Sequence, residues 1–281
     1  MMPANWRRKR LDPMKSTTTN HSVPEEAAIM ATSIMLDFGL GDSIRVDLPL
    51  PGGTVTVRSL LPSIFALADA VHDHSARTLA VTGKAIGCGP GCGRCCHQLV
   101  PISEHEAVHL ADVVRAMPAA QRSRIVRRFT GAILALDRAG LVAPLTATFS
   151  AGATDRAALG RLARQYWGLG IPCPFLHDGS CLIHAQRPLA CRQYLVTSAP
   201  DRCAALYTED QDHEVVMHPV DTGGALAAFS GEGMVHSRVV PLVFSLLAER
   251  SARARPLPVL PGPQMMGRFL CLLNDCFSRA G

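Results

Sequence analysis

Aromatic residues are scarce in this chain of 281 residues, at 5%, with two Trp and three Tyr. Nucleic-acid surfaces interleave basic residues with aromatic platforms on which bases stack. The shortage argues against such a partner, although the net charge is +5. That positive excess is spread along the chain and is mostly Arg. No run approaches the roughly 18 apolar residues that would span a bilayer, so no membrane role is expected. The basic cluster Arg7-Arg8-Lys9-Arg10 is followed by polar residues, where a secretory leader would need an apolar stretch. No repeat of fixed period is present, which excludes solenoid architectures. The hydrophobic fraction of 48% is ample for a core.

Cysteine is present in excess. Ten cysteines in a chain without a recognisable export signal point to a reducing compartment, the cytoplasm, where clustered thiols bind metal more often than they form disulfides. Eight of the ten fall into two groups. Cys88, Cys92, Cys95 and Cys96 lie among Gly87, Gly89, Gly91 and Gly93; Cys173, Cys181, Cys191 and Cys203 follow about eighty residues later. Thiolates at two- and three-residue spacing suit a tetrahedral ion or an iron–sulfur cluster. Glycines permit the tight turn that aims them at one point and let backbone N–H groups approach sulfur. Neighbouring side chains diverge on either a strand or a helix, so Cys95 and Cys96 do not easily bind one ion. Eight thiolates then divide into two four-ligand sites, or one site with spare thiols; the partition is open at this point.

Asp178-Gly179 is a turn that brings Cys181 back toward Cys173, and Arg187-Pro188 places Cys191. Arg187 and Arg192 are candidates to offset the negative charge of a polythiolate site and to donate hydrogen bonds to sulfur, with Tyr194 a further candidate beside the bound cofactor. His97 and His184 stand next to cysteines but are not required where eight thiolates suffice. Cys271 and Cys276 are five apart in an apolar helical segment, about 140° apart around its axis, and are expected to be packing residues.

The pattern C-x3-C-x2-C-C followed by CPFL, DGSC and RPLACRQY resembles the zinc- or iron-chelating cysteine-cluster family, often called the YkgJ family. The resemblance covers about 84–205. It implies that the two groups pair and hold iron–sulfur or zinc. One branch of that family is associated with lysine N-methylation of flagellin, so redox or protein-modifying activity is implied as a candidate. Whether the chain is an enzyme, and which protein or small molecule it meets, the residues leave open. Cys88, Cys92 and Cys95 also match the spacing of radical S-adenosylmethionine enzymes, but Arg94 stands where those have an aromatic residue, and repeated βα units are lacking. Zinc ribbons and fingers repeat Cys-x2–4-Cys pairs, which the second group does not. A structural zinc module that only mediates interactions is the alternative to an iron–sulfur protein.

The expected fold is mainly α, with a small N-terminal antiparallel β-meander and an irregular cysteine-rich core. Residues 1–28 read as a disordered tail and 29–281 as one globular domain: a meander at 29–60, the cysteine core at 84–205 and C-terminal helices at 206–281. Three short β-branched segments separated by Gly and Pro make up the meander. Apolar spacing predicts a helix over 59–82. Ser103-x-x-Glu106 is a capping box opening a second. Pro118 and Gly140 bracket a third, whose Arg122, Arg124, Arg127 and Arg128 read as a solvated face. Thr154-Asp155 caps a fourth, to about Trp167; a short helix falls near 186–192, and two more run over 236–252 and 262–278.

Overall fold

The computed structural model describes residues 29–89, 91–150, 155–207, 213–231 and 238–278, with side chains through Asn274. The expected tail at 1–28 lies outside them. The chain is mainly helical. In order, the elements are β1 (Ile29–Gly39), β2 (Asp42–Pro51), β3 (Thr54–Val55), α1 (Leu61–Val81), β4 (Pro101–Ser103), α2 (Glu104–Ala116), α3 (Ala119–Arg138), α4 (Val142–Ser150), α5 (Arg156–Gly168), β5 (Leu176–His177), β6 (Ser180–Cys181), α6 (Leu189–Gln193), α7 (Thr222–Ser230), β7 (Val239–Pro241), α8 (Ser245–Ala254), β8 (Leu260–Pro261) and α9 (Gly262–Ser278). Among the described residues no single helix is long and apolar enough to cross a membrane.

Strands β1 and β2 form an antiparallel hairpin in which Ile34 faces Val46 and Leu36 faces Ile44. Alternation buries Ile44, Val46, Leu48 and Leu50 along β2 and leaves Arg45 and Asp47 outside, the pattern of a sheet with one wet face. The third stretch does not extend this hairpin into a meander. Thr54–Val55 pairs instead with Leu260–Pro261, and Val57–Leu60 turns into a 3-10 helix. Pro49 and Pro51, which cannot donate to a ladder, lie at the end of β2 that a third strand would join.

The buried face of the hairpin lies on α1. Ile64, Leu67 and Ala68 have no exposed surface and Val71 has 1%, and they recur at the helical spacing. Each large side chain so buried contributes about 1.5–3 kcal/mol. Met265, Met266, Phe269 and Leu273 of α9 close the same cluster. Helices α2 and α8 are joined by Arg115, Asp112, Glu249 and Arg253, with Arg115–Glu249 at 2.5 Å and Arg253–Asp112 at 2.7 Å.

The capping box forms as expected: Glu106 N–H donates to Ser103 Oγ at 3.2 Å, and Glu106 Oε2 accepts from Ser103 N–H at 2.8 Å. Helix α3 ends at Gly140 with φ +71°, a conformation glycine adopts without strain. Asp155 caps α5 through two backbone N–H groups. The helix expected over 236–252 starts later, at Ser245, because Val239–Pro241 is drawn into a short ladder with β4. Helix α7 was not foreseen. Asp221 caps it by accepting from Gly224 N–H at 2.8 Å, and the two glycines that open it masked its signal.

Candidate metal centre

The first cysteine group lies in the loop between α1 and β4, and the second in the irregular stretch after α5. They converge. Cys173 N–H donates to the Cys96 carbonyl at 2.7 Å. Gly87 N–H donates to the Val196 carbonyl at 2.8 Å. A Cβ built at Gly93 would stand 2.5 Å from the Gly179 carbonyl oxygen and 2.5 Å from Leu176 Cδ1. One at Gly87 would fall on the Ser198 carbonyl oxygen. Glycine is needed at both positions because two backbones meet there. Arg94 reaches Asp201 at 2.9 Å, which lays the turn carrying Cys203 against the first loop.

Local sequence explains how the second group is shaped. Leu176–His177 and Ser180–Cys181 pair across Asp178-Gly179, whose φ values are +47° and +76°, the signs of a type I′ turn. Arg128 of α3 donates to the carbonyls of Pro174 at 3.3 Å and Leu176 at 2.5 Å. It is therefore not part of the solvated Arg face; Arg124 and Arg127 are exposed as expected. Glu106, 2% exposed, accepts from Leu189 N–H at 2.7 Å and so fixes the start of α6, which carries Cys191.

All eight cysteines are free; Cys203 is buried and the other seven are half-buried. Burial pushes the Cys173 thiol up to about 12 and Cys203 up to about 11. Cys88, Cys181 and Cys191 are raised for the same reason. A hydrogen bond from Cys96 holds Cys95 down at about 7, and Cys96 is raised in return. Against burial stand backbone N–H groups aimed at sulfur: Val196 to Cys88, Phe175 and Leu176 to Cys173, and Ile183 to Cys181. Donors in these positions stabilise thiolate and are what metal-bound sulfur accepts. Among the described residues no three His, Cys, Asp or Glu side chains are already closed on one point. The adjacent pair faces itself through the Cys96–Cys95 hydrogen bond.

Residues 87–215 match the model of the CxxCxxCC family, whose description is "Putative zinc- or iron-chelating domain". Over these residues the chain is similar to that family. The matched stretch contains both cysteine groups and everything that joins them. No curated protein and no solved structure matches the chain.

Within this matched stretch the cationic candidates separate. Arg187 acts on Cys88, Cys95 and Cys181, favouring their thiolates, and its buried Nε has no hydrogen-bond partner. Arg192 is committed elsewhere. It is 4% exposed and donates to the Asp69 carboxylate at 2.6 and 2.8 Å and to the Arg187 carbonyl at 3.0 Å, with a further bond to the Ala185 carbonyl. Its guanidinium lies 4.5 Å over the Phe65 ring. The expectation that Arg192 donates to sulfur is thereby corrected: it frames the turn that presents Arg187. The Tyr194 hydroxyl, held at about 12 by burial, sits beside Gln98 without closing a hydrogen bond. Cys203 and Cys95 are among the charges acting on it. His97 stacks edge-on against Trp167 at 6.3 Å, and His184 is exposed. Cys271 is exposed on α9 and not a packing residue; the side chain of Cys276 lies outside the described residues.

Sequence reasoning missed Glu106 as a support of Cys191, along with Arg128 and Asp201. The capping box was visible, but the third bond of its carboxylate spans 83 residues and has no local signal. An open cleft of about 1110 Å³ runs beside the first loop, bounded by Cys92, Arg94, His97, Trp167 and the turn at Pro200–Ala204.

Proposed function

We propose that this protein holds iron–sulfur in the thiolates of Cys88, Cys92, Cys95, Cys96, Cys173, Cys181, Cys191 and Cys203, and that residues 29–281 form one cytoplasmic domain around that centre. The observation that carries the reading is the environment of the sulfurs. Eight thiols from two distant segments are pooled, backbone N–H groups point at three of them, and Arg187 brings an unpartnered donor to both groups. An anionic polysulfur cluster is stabilised by these features, and N–H···S bonds and nearby charge tune its potential. Bound, the cluster supplies one-electron chemistry. The eight thiolates would hold it through sulfur, and Arg187 would offset part of its charge. Electron transfer and cluster-assisted modification of a protein or small molecule are the activities open to such a centre.

A structural zinc module is the second reading. It is favoured by the packing of Cys173, Cys181 and Cys191 against an apolar cluster, since a closed four-thiolate zinc site has no open position and no redox chemistry. Anaerobic purification followed by metal and sulfide analysis with a visible spectrum separates the two. Iron with acid-labile sulfide and a brown colour is the expected result. A colourless protein with stoichiometric zinc and no sulfide overturns it.

A further inference from the structure

Buried polar atoms without a partner gather where the two cysteine segments meet. Gln98 Nε2, Tyr194 Oη and Ser198 Oγ are closed to solvent and meet no hydrogen-bond partner, and Arg187 Nε is a fourth such atom. Gln98 follows the first group directly, and its backbone N–H donates to the Cys95 carbonyl at 3.1 Å. Tyr194 is the C-cap of α6, the helix that carries Cys191. Ser198 offers the carbonyl that a Cβ at Gly87 would strike. Native folds leave few buried polar atoms unpaired, and each calls for a water, an ion or a ligand.

Water does not suit Gln98. The residue lines a cavity of about 10 Å³, at the lower bound of what one water molecule needs. Leu99, Val100, Leu242 and Val243 make that cavity apolar, and its remaining lining is Tyr166 and Cys173. A thiol is a weak acceptor, whereas a thiolate is a strong one. Cys173 becomes a thiolate when it binds metal. Gln98 and Tyr194 lie side by side without closing a hydrogen bond. Reversing the amide would give the hydroxyl an acceptor but would still leave the two amide hydrogens to place.

We propose that Gln98 is a positioning residue of the metal centre, its buried amide donating to the Cys173 sulfur, with the Tyr194 hydroxyl beside it as the second donor of the pair. The inference rests on the iron–sulfur reading above and deepens it. Donors to cluster sulfur favour the reduced, more negative state and so raise the reduction potential. They also hold the ligating sulfur in place against release of the metal.

The test uses the full metal-loaded chain. Gln98→Met keeps the length of the side chain and removes the donor; Tyr194→Phe removes a single oxygen, and so serves where the first variant fails to fold. In each the reduction potential, read by spectroscopic titration, should fall below that of the parent. Exchange into D2O should shift the metal–sulfur stretching bands of the resonance Raman spectrum by less than in the parent. Release of iron to bathophenanthroline disulfonate should quicken by about tenfold, the scale on which such outer partners act. Parent potential, band shift and release rate in both variants overturn the proposal. Faster release with an unmoved potential and band shift overturns it as well, because that is the mark of packing alone. A parent chain that holds no iron and sulfide defeats the underlying reading instead.

Discussion

Replacing Glu106 by Gln tests how the capping box and the second cysteine group are joined. The Glu106 carboxylate is buried and accepts three bonds: Leu189 N–H at 2.7 Å on one oxygen, and Ser103 N–H at 2.8 Å and Ser103 Oγ at 2.9 Å on the other. Gln keeps the shape but offers one oxygen and one NH2. If the oxygen stays toward Leu189, the amide nitrogen is set against Ser103 N–H; reversed, Leu189 N–H loses its acceptor. Either way one buried backbone donor faces another donor, at a cost of about 1–3 kcal/mol. Burial pushes the Glu106 carboxyl upward, so the neutral amide recovers some desolvation energy. The expected net loss is about 2 kcal/mol, or roughly 4 °C in Tm for a chain of this size. Urea and thermal unfolding followed by circular dichroism measure it, with the urea m-value unchanged. Ser103→Ala should cost about 1 kcal/mol on its own and be strongly non-additive with Glu106→Gln. A Glu106→Gln variant within 0.5 kcal/mol of the parent, or one additive with Ser103→Ala, would show that the triple acceptor does not exist.

Three further outcomes are expected. Burial holds His72 and His105 at about 4, below the free value of 6.5; the unfolded chain therefore binds protons first, and stability falls as pH drops from 6.5 toward 4, by about 3 kcal/mol per histidine at the bottom of that window. Urea unfolding across pH 7.5–4.5 should show that slope and His72→Phe should flatten it; an unchanged slope in the variant counts against a neutral buried His72. Gly93→Ala should abolish metal retention, because its Cβ meets Gly179 and Leu176, whereas Gly89→Ala, with nothing within 4 Å, should retain it; equal metal content in the two variants would contradict the close approach of the groups. Cys271→Ser should leave metal content unchanged and shift stability by less than about 0.5 kcal/mol, since the residue is exposed; a loss of metal by elemental analysis would make it a ligand.

Much of this was legible locally. The α1 face, the Ser103–Glu106 box, the stop at Gly140 and the Asp178-Gly179 turn each depend on a few consecutive residues. Their signals are intrinsic backbone and side-chain preferences. The third strand failed because pairing is not local: Thr54–Val55 finds its partner about two hundred residues away. The Arg face failed in part for the same reason. Four arginines look alike on a helical wheel, and only packing showed that Arg128 meets the carbonyls of the Cys173 loop.

Sequence alone determined where the candidate metal-binding sulfurs stand in the chain. Thiol spacing, flanking glycines and the scarcity of aromatics are chemical facts of the chain, and they pointed to a cysteine-cluster centre without reference to any fold. Tertiary structure decided how the side chains are used. It brought two cysteine groups together through backbone contacts at Gly87, Gly93 and Cys173. It committed Arg192 to Asp69 and left the buried Nε of Arg187 without a hydrogen-bond partner. The reason is that spacing constrains only what lies within a turn or two, whereas the reach of a donor depends on where other segments place its partners.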